Sequence, residues 1–339
     1  MLLISGLISH ASFRNIAEDI LEVAKLHKVQ ALSSPEYLSG KTRNYTLRPL
    51  VIGSMISTEM HYYLALFYAH PTLRLAYLTA EGPLDKSWWS PNILSQYITV
   101  ANSGWTARWL ADAKIRVDAV VHHAYNPKVV AEAKKNPYTP AGPDGDTVWF
   151  SYIGQVGPRK RVEIALQSLR IAQRRTGYRV GLVTNAEITP LLQSDDRKIV
   201  KVGSFGSLPR EMPLALIAGS QYYLHLSRSE GFGMPALEAR ALGKPLVAVD
   251  MMPTREFIPR GAALWVPVKE TLQVESFGPM AFVEHVYDVE EAADIIVQAY
   301  DTYVNDRDAY QDMVERCLEG VEAYAHTNKY PTLLRMLGF

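Results

Sequence analysis

Two glutamates bracket a glycine-rich turn in the second half of the chain. Glu230 and Glu238 are separated by seven residues within the stretch Ser227–Glu238, SRSEGFGMPALE. Carboxylates bind hydroxyl groups well, because hydrogen bonds to a charged acceptor are the stronger ones. Gly231 and Gly233 allow positive φ and a close approach of a ligand to the main chain. The combination indicates a ligand with phosphate and vicinal hydroxyl groups, such as a sugar nucleotide.

The flanking sequence predicts the elements that hold this turn in place. Gln221–Leu226 (QYYLHL) is typical of a short buried strand, and Ala236–Leu242 has the character of a helix. Pro235 suits a first helical position, and glycines before an open helix N-terminus favour a bound anion. The simpler alternative is an ordinary strand–turn–helix junction with both glutamates solvated. The predicted donor-binding residues of the segment are Gly231, Phe232, Gly233, Met234, Pro235 and Glu238.

The wider pattern resembles a known family. The two glutamates within SRSEGFGMPALEARALGKPLVAV, followed by Glu256 in TREFI, closely resemble the nucleotide-sugar signature of retaining glycosyltransferases of family 4. These enzymes belong to the glycosyl transferases group 1 and have the GT-B fold, which is α/β with two Rossmann-like doubly wound domains facing across a cleft. The resemblance extends more weakly over most of the chain.

The resemblance implies an activity and roles for the two acids. It implies a retaining glycosyltransferase that moves a sugar from a nucleoside-diphosphate sugar, UDP- or GDP-linked, to a carbohydrate, lipid-linked or other acceptor. Glu230 would bind the sugar hydroxyls and Glu238 the ribose diol. The donor is a substrate, so no cofactor is expected. No metal is expected either, because the helix end at Gly233–Pro235 and the cations Arg159 and Lys160 would stabilise the departing diphosphate.

A second glycine loop carries three consecutive cations. Val148–Ile153 is predicted as a strand, and a helix is predicted from about Val162 to Arg174; Gly154 and the run Arg159–Arg161 lie between them. Cations are unfavourable at a helix start, and a bound anion would relieve that conflict. The family keeps a basic pair here for the diphosphate, but Gln155 occupies the first of its positions. The resemblance therefore assigns the catalytic roles to Glu230, Lys160 and Arg159.

Other candidate residues follow predicted strands, where doubly wound domains bind their ligands. The family's counterpart of the loop at Gly203 and Ser204 lies near the nucleotide base and contacts it through main-chain atoms. In the first half of the chain each candidate has a simpler alternative: a solvated loop histidine, a surface turn or a plain helix cap. The acceptor-side candidates are Gly6, His10, Glu81 and Ser103.

Two pairs of residues suggest a metal at first sight. Asp144 and Asp146 match an Asp-x-Asp metal signature, but they precede a strand in a turn whose chemistry already explains them. His122 and His123 are adjacent, and neighbours on an extended chain point to opposite faces. We expect no metal at either place.

Length and composition indicate two domains. A chain of 339 residues with 48% hydrophobic residues has material for two cores. The segment NPYTPAGPDG is rich in proline and glycine and marks the boundary. The predicted parts are an acceptor-side Rossmann-like domain (1–135), a linker (136–146), a nucleotide-sugar-binding domain (147–322) and a closing tail that returns to the first domain (323–339).

Composition also limits the partners. With 35 basic and 35 acidic residues the chain is not a dedicated nucleic-acid binder. A single cysteine, Cys317, and the lack of a long apolar run favour a cytoplasmic protein. The basic stretch Lys41–Arg48 allows a weak peripheral contact with an anionic membrane or a phosphate-bearing acceptor, although a solvated loop is the simpler interpretation. The acidic stretch Glu270–Glu322 is predicted as a solvated outer face.

Two other functions remain open at this point. A nucleotide-sugar hydrolase or epimerase of the same fold would use the same donor without an acceptor. A non-catalytic nucleotide-sugar-binding protein is the other alternative, and the missing cation at Gln155 is the feature that favours it. The sequence does not specify the oligomeric state.

Overall fold

The computed structural model describes most of the chain and divides it into two compact units. The described residues are 1–6, 11–40, 46–85, 91–140, 147–157, 159–177, 179–194, 196, 198–274 and 278–339. The N-terminal unit comprises residues 1–126, 273–283 and 323–339, and the C-terminal unit comprises residues 127–272 and 284–322. His10, the segment Lys41–Tyr45 and both acids of the Asp-x-Asp match lie outside the described residues.

The N-terminal unit is built on a six-stranded sheet with the order β2-β1-β3-β4-β5-β6, and its strand pairs are parallel. The strands are β1 (Leu2–Ile4), β2 (Ala31–Ser33), β3 (Arg48–Ser54), β4 (Leu75–Thr79), β5 (Ile98–Ala101) and β6 (Ala119–Val120). The helices between them are α1 (Ala11–Leu26), α2 (Ser34–Leu38), α3 (Thr58–Leu66), α4 (Pro91–Leu94) and α5 (Gly104–Asp112).

Both faces of this sheet are covered, which explains its apolar strands. Along β3, Leu50 and Ile52 pack into one buried cluster and Val51 into another. Alternate residues of a strand point to opposite faces, so a strand that is buried on both sides reads as a continuous apolar run. The continuous apolar strands therefore come from the two-sided cover.

The C-terminal unit contains a second six-stranded sheet of parallel pairs, with the order β12-β11-β10-β7-β8-β9. Its helices and strands begin with α6 (Pro127–Lys135), β7 (Val148–Tyr152), α7 (Val162–Arg175), β8 (Val180–Thr184), β9 (Ile199–Lys201) and α8 (Glu211–Ala218). They continue with β10 (Tyr222–His225), α9 (Met234–Ala241), β11 (Leu246–Val249) and β12 (Ala263–Val266). The predicted α/β class with two doubly wound, parallel-sheet domains is confirmed.

The last part of the chain is shared between the two units. A two-stranded sheet of β13 (Glu270–Val274) and β14 (Phe282–Val286) precedes α10 (Val289–Asn305) and α11 (Arg307–Leu318). The short helices α12 (His326–Lys329) and α13 (Pro331–Met336) close the chain. Tyr330, Leu333 and Leu337 lie in the same buried cluster as Ile16 and Ile20 of α1. The tail therefore belongs to the N-terminal unit.

The boundary of the units differs from the sequence assignment of residues 1–135 to the first domain. The structure places α6 in the C-terminal unit, where it packs against α8. Just after α6, the backbone N–H of Tyr138 donates to the carbonyl of Ala215 at 3.0 Å. The proline- and glycine-rich segment precedes the first strand of the second sheet. The two units divide earlier, before α6, because the apolar face of α6 is buried in the C-terminal unit. Among the described residues, no helix has both the length and the apolar character needed to cross a membrane.

Candidate active site

The strand order places two loops of the C-terminal unit side by side. In this sheet β7 and β10 are neighbours, although β8, β9 and their connections separate them along the chain. The order is that of a dinucleotide-binding sheet, in which ligands bind outside the carboxyl ends of the strands where the winding reverses. The loops that follow β7 and β10 carry the two glycine motifs. The topology therefore brings together the two segments that the sequence singles out.

The turn before α9 requires glycine. Gly233 precedes the helix with φ +98° and ψ +54°, a conformation that L side chains rarely adopt. A Cβ atom there would lie 3.4 Å from the ring of His225. Phe232 stacks on Phe257 with ring centroids 4.5 Å apart, which fixes the turn from the other side. The helix begins at Met234, one residue before Pro235, which was the predicted first helical position.

Glu230 and Lys160 form an ion pair between the two loops. The Glu230 side chain is only 7% exposed and that of Lys160 15%. Burial of Glu230 opposes its ionisation, but the nearby positive charges, Lys160 first, hold its pKa at about 2. The structure thus joins Glu230 and Lys160, two of the residues with predicted catalytic roles, as a buried, charged pair.

The loop after β7 docks on the loop after β10 through the main chain as well. The N–H of Ser229 donates to the carbonyl of Arg159 at 3.2 Å. Within the first loop, the N–H groups of Lys160 and Arg161 both donate to the carbonyl of Gly157. Arg161 is in the left-handed region with φ +47°, which is uncommon outside glycine. These contacts fix the cations next to Glu230.

Glu284, in the stretch that the sequence predicts as a solvated outer face, is buried. Its carboxylate lies 3.1 Å from Arg161 and 3.8 Å from Arg228. The next residue, His285, donates its N–H to the carbonyl of Arg228 at 2.8 Å. Two arginines require a counter-charge in this environment, which is the physical reason that Glu284 is not solvated. Glu284 thus joins the two glycine loops through Arg161 and Arg228. No local feature of the sequence predicts that this acid is buried.

Both predicted acids affect the pKa of Tyr223. Its hydroxyl is buried, and burial raises its pKa, as do the carboxylates of Glu230 and Glu238. The same hydroxyl donates to the carbonyl of Ile153 at 3.3 Å. Glu238 itself is half-buried. The charges of both acids that bracket the turn therefore act on one buried hydroxyl.

His225, at the end of β10, was not predicted as a site residue. It is buried beside Gly233, and its Nε2 lies 3.2 Å from the hydroxyl oxygen of Thr254. Burial lowers its pKa to about 4, against the opposing effect of Glu230, so the ring is neutral near pH 7. The feature that could have indicated it was a polar histidine within the apolar strand pattern QYYLHL. It supports the glycine turn.

The remaining donor-side candidates are held by local bonds. The N–H of Gly154 donates to Oδ1 of buried Asn185 at 3.3 Å, whereas Gln155 is exposed. Gly203 has φ +62° and follows β9, at the edge of the sheet. Ser204 donates its N–H to the Ser207 hydroxyl at 3.2 Å. The structure shows a well-formed turn at this place.

The acceptor-side candidates all belong to the N-terminal unit, apart from His10, which lies outside the described residues. Gly6 follows β1 with φ +97°. Glu81 follows β4, is 6% exposed, and donates its N–H to the sulfur of Met280 at 3.0 Å. Ser103 is fully buried and caps α5, because its Oγ accepts the N–H of Thr106 at 3.0 Å. For Ser103 the structure therefore shows the cap that was the simpler alternative.

A neutral hydrogen-bond network lies beside Ser103. The amide Nδ2 of Asn102 donates to the hydroxyl of Thr79 at 2.9 Å, and that oxygen lies 3.4 Å from Nε2 of His123. Nδ1 of the same ring lies 2.9 Å from the hydroxyl of Tyr77, which donates to the carbonyl of Val121. This direction of donation requires a hydrogen on Nδ1. Burial lowers the pKa of His123 to about 3, in keeping with a neutral ring.

Comparison with known proteins agrees with the fold. Residues 140–278 match the family model described as glycosyl transferases group 1. Uncharacterized glycosyltransferase 335 of Sulfolobus islandicus rod-shaped virus 1 is 26% identical over 263 residues, which cover 74% of this chain and 76% of the viral protein. The two parallel-sheet units thus have the GT-B type of fold. The predicted resemblance to the glycosyl transferases group 1 is confirmed over residues 140–278, which are less than half of the chain.

Solved structures show the same fold at low sequence identity. Sucrose-phosphate synthase from Thermosynechococcus elongatus is 13% identical, with a TM-score of 0.68 over 99% of this chain and 98% of that one. HepE from Anabaena, solved in complex with UDP and glucose, is 14% identical, with a TM-score of 0.62 over 99% of both chains.

Proposed function

We propose that the protein transfers a sugar, with retention of anomeric configuration and without a metal, from a nucleoside-diphosphate sugar to an acceptor hydroxyl. The observation that carries the proposal is the buried Lys160–Glu230 pair at the glycine turn before α9. A carboxylate held ionised in a buried place, next to an open helix N-terminus, suits a ligand with hydroxyl and phosphate groups. The complex of HepE with UDP and glucose makes UDP-glucose the first donor to test.

The C-terminal unit supplies the two kinds of contact that such a donor requires. The N–H groups at the start of α9 and the cations Arg159 and Lys160 would stabilise the negative charge that develops on the departing diphosphate. Glu230 would accept hydrogen bonds from the sugar hydroxyls, and Glu238 would hold the ribose diol. Hydrogen bonds to such charged groups are worth about 1.5–3 kcal/mol each.

The reaction exchanges one bond of the anomeric carbon for another. The bond to the diphosphate oxygen breaks, its electron pair stays on the diphosphate, and the acceptor oxygen forms the new bond. The acceptor proton leaves with the diphosphate. Retention follows when both oxygens share one face of the sugar, as the resemblance to family 4 implies. Fixed positive groups at the diphosphate take the place of a divalent ion.

Substitution of the two acids tests the assignment. Glu230→Gln is expected to lower kcat by at least about 100-fold, because the contact matters most as the sugar becomes positively charged. Glu238→Gln should mainly raise KM for the donor, about 10-fold, through the ribose. The matched control is Glu211→Gln, an exposed acid of the same unit. Transfer from UDP-glucose is followed by release of UDP, and NMR of the product establishes the anomer. Unchanged turnover in Glu230→Gln would remove that residue from the mechanism.

One observation favours a different function. Gln155, which takes the place of one cation of the family, is exposed and carries no charge. A non-catalytic nucleotide-sugar-binding protein would bind UDP-sugars in calorimetry but release no UDP with or without acceptors. A hydrolase or epimerase would release free sugar, or convert the donor, without any acceptor.

A further inference from the structure

Four polar side chains meet at one place in the N-terminal unit that the proposed function does not use. Asp19 and Glu22 lie on α1, Asn126 follows β6, and His326 begins α12. One ligand atom from each of Asp19, Glu22 and His326 lies within 4.8 Å of the others. The topology thus collects two carboxylates and an imidazole from the two ends of the chain.

The histidine is buried without a hydrogen-bond partner. His326 is 1% exposed, and in the described part of the chain neither ring nitrogen forms a hydrogen bond. Its Nε2 lies 3.5 Å from a carboxylate oxygen of Glu22, so the ring is directed at the acids. Asp19 is equally buried, at 1%. Buried imidazole nitrogens without partners are costly, so a ligand at this point would stabilise the fold.

We propose that Asp19, Glu22 and His326 bind a divalent transition-metal ion of the zinc class. Imidazole nitrogen and carboxylate oxygen are ordinary zinc ligands, and three of them leave a fourth position for water. Ligand atoms on one tetrahedral zinc ion stand about 3.4 Å apart, so side-chain rotations that draw the three groups together close the site. Glu22 is 27% exposed in its side chain, which gives the ion a way in.

Asn126 forms hydrogen bonds with both carboxylates. Its Nδ2 donates to Asp19 at 2.8 Å and to Glu22 at 3.1 Å. A carboxylate has about four acceptor positions, so each acid can accept this bond and still bind an ion. Amide donors of this kind orient metal-binding carboxylates.

The site would attach the closing tail to the first helix of the chain. The N–H of His326 donates to the carbonyl of Tyr125 at 2.9 Å, which places the ring at the start of the tail. The following residues of the tail pack on α1. An ion bound to both ends of this contact stabilises the N-terminal unit by mass action, without a part in the transfer chemistry.

The test uses the full-length protein without a histidine tag, stripped of metal by a chelator and then dialysed. Zn²⁺ is titrated in by calorimetry, Co²⁺ is followed by its visible absorption, and thermal unfolding is recorded with and without Zn²⁺. We expect one equivalent of ion, a cobalt spectrum of a nitrogen- and oxygen-ligated site, and a rise in Tm of several degrees. Asp19→Asn and His326→Gln should each weaken binding at least 10-fold.

Two controls keep the test decisive. His27→Ala removes an exposed histidine just beyond α1 and should leave Zn²⁺ binding unchanged. If His326→Gln does not fold, Asp19→Asn decides, since it keeps the size of the side chain and its bond to Asn126. No binding, or binding that survives both substitutions, would overturn the proposal. This outcome is independent of any sugar transfer.

Discussion

The polar side chains at the strand ends differ between the two units. At the ends of β4, β5 and β6 in the N-terminal unit, Thr79, Asn102 and His123 are neutral, buried and bonded in series. After β7 and β10 of the C-terminal unit they are charged and meet as the Lys160–Glu230 pair. A closed neutral network has its own partners and mainly fixes the backbone. A buried ion pair beside an open helix end keeps charges that a bound diphosphate sugar can use.

Removing the cation should give the largest effect. Lys160→Met leaves the buried Glu230 carboxylate without its main counter-charge, and breaking such a pair costs about 3–5 kcal/mol. We expect the free energy of unfolding in urea to fall by that order and sugar transfer to be lost. The double variant Lys160→Met/Glu230→Gln should recover part of the stability but none of the transfer. A single variant as stable as the wild type would mean that the pair is not buried in solution.

The contributions of the two regions to stability should be lost at different pH values as the solution is acidified. Glu230 has a pKa of about 2 in the folded protein against 4.5 unfolded, so its stabilisation is present above pH 4.5 and is lost as the pH falls towards 2. His123 has a folded pKa of about 3 against 6.5, so the unfolded state takes up a proton first and stability falls already below pH 6.5. Each effect amounts to a few kcal/mol, since one pKa unit is about 1.4 kcal/mol.

The measurement compares wild type with Glu230→Gln and His123→Gln across pH. The stability difference from Glu230→Gln should change only below about pH 4.5, and the difference from His123→Gln should begin to change near pH 6.5. NMR titration of the His123 ring gives a direct check. A His123 that titrates near pH 6.5 would mean that water reaches the network.

The neutral network should affect stability but not donor binding. Asn102→Ala leaves the hydroxyls of Thr79 and Thr106 without their buried amide partner, which costs about 1–3 kcal/mol. KM for the donor should stay unchanged, because the donor contacts are assigned to the C-terminal unit. Asn136→Ala, which removes an exposed amide bonded to Glu132, is the matched control and should cost little. A large rise in donor KM would contradict the division of roles.

The local parts of the site could be predicted from the sequence. The turn at Gly233 follows from glycine and proline chemistry between a strand-like run and a helix-like run, and the structure has β10 and α9 at those places. The doubly wound class follows from the alternation of strands and helices. Each of these signals lies within about a dozen residues, the range over which composition and periodicity determine structure.

The long-range parts could not be predicted. Glu284 binds Arg161 across 123 residues, and nothing in an acidic stretch distinguishes one buried acid from its solvated neighbours. His123 appeared only as one of two adjacent histidines, whereas its role depends on Thr79 and Tyr77 in another strand. The position of α6 was also unpredictable, because its amphipathic pattern shows that one face is buried but not on which unit.

The smallest expected effect comes from replacing single glycines with alanine, which distinguishes a cost in backbone conformation from a change in the geometry of the site. Gly233 and Gly177 both have positive φ, +98° and +62°, so replacement by alanine should cost each about 1 kcal/mol of stability. Only at Gly233 would the new Cβ meet a neighbour, the His225 ring at 3.4 Å; nothing described lies within 4 Å of the position at Gly177. Gly233→Ala should therefore also weaken donor binding several-fold by shifting the first N–H groups of α9, whereas Gly177→Ala should not. Equal donor affinity in the two variants, measured by calorimetry with UDP-glucose, would show that the start of α9 does not bind the diphosphate.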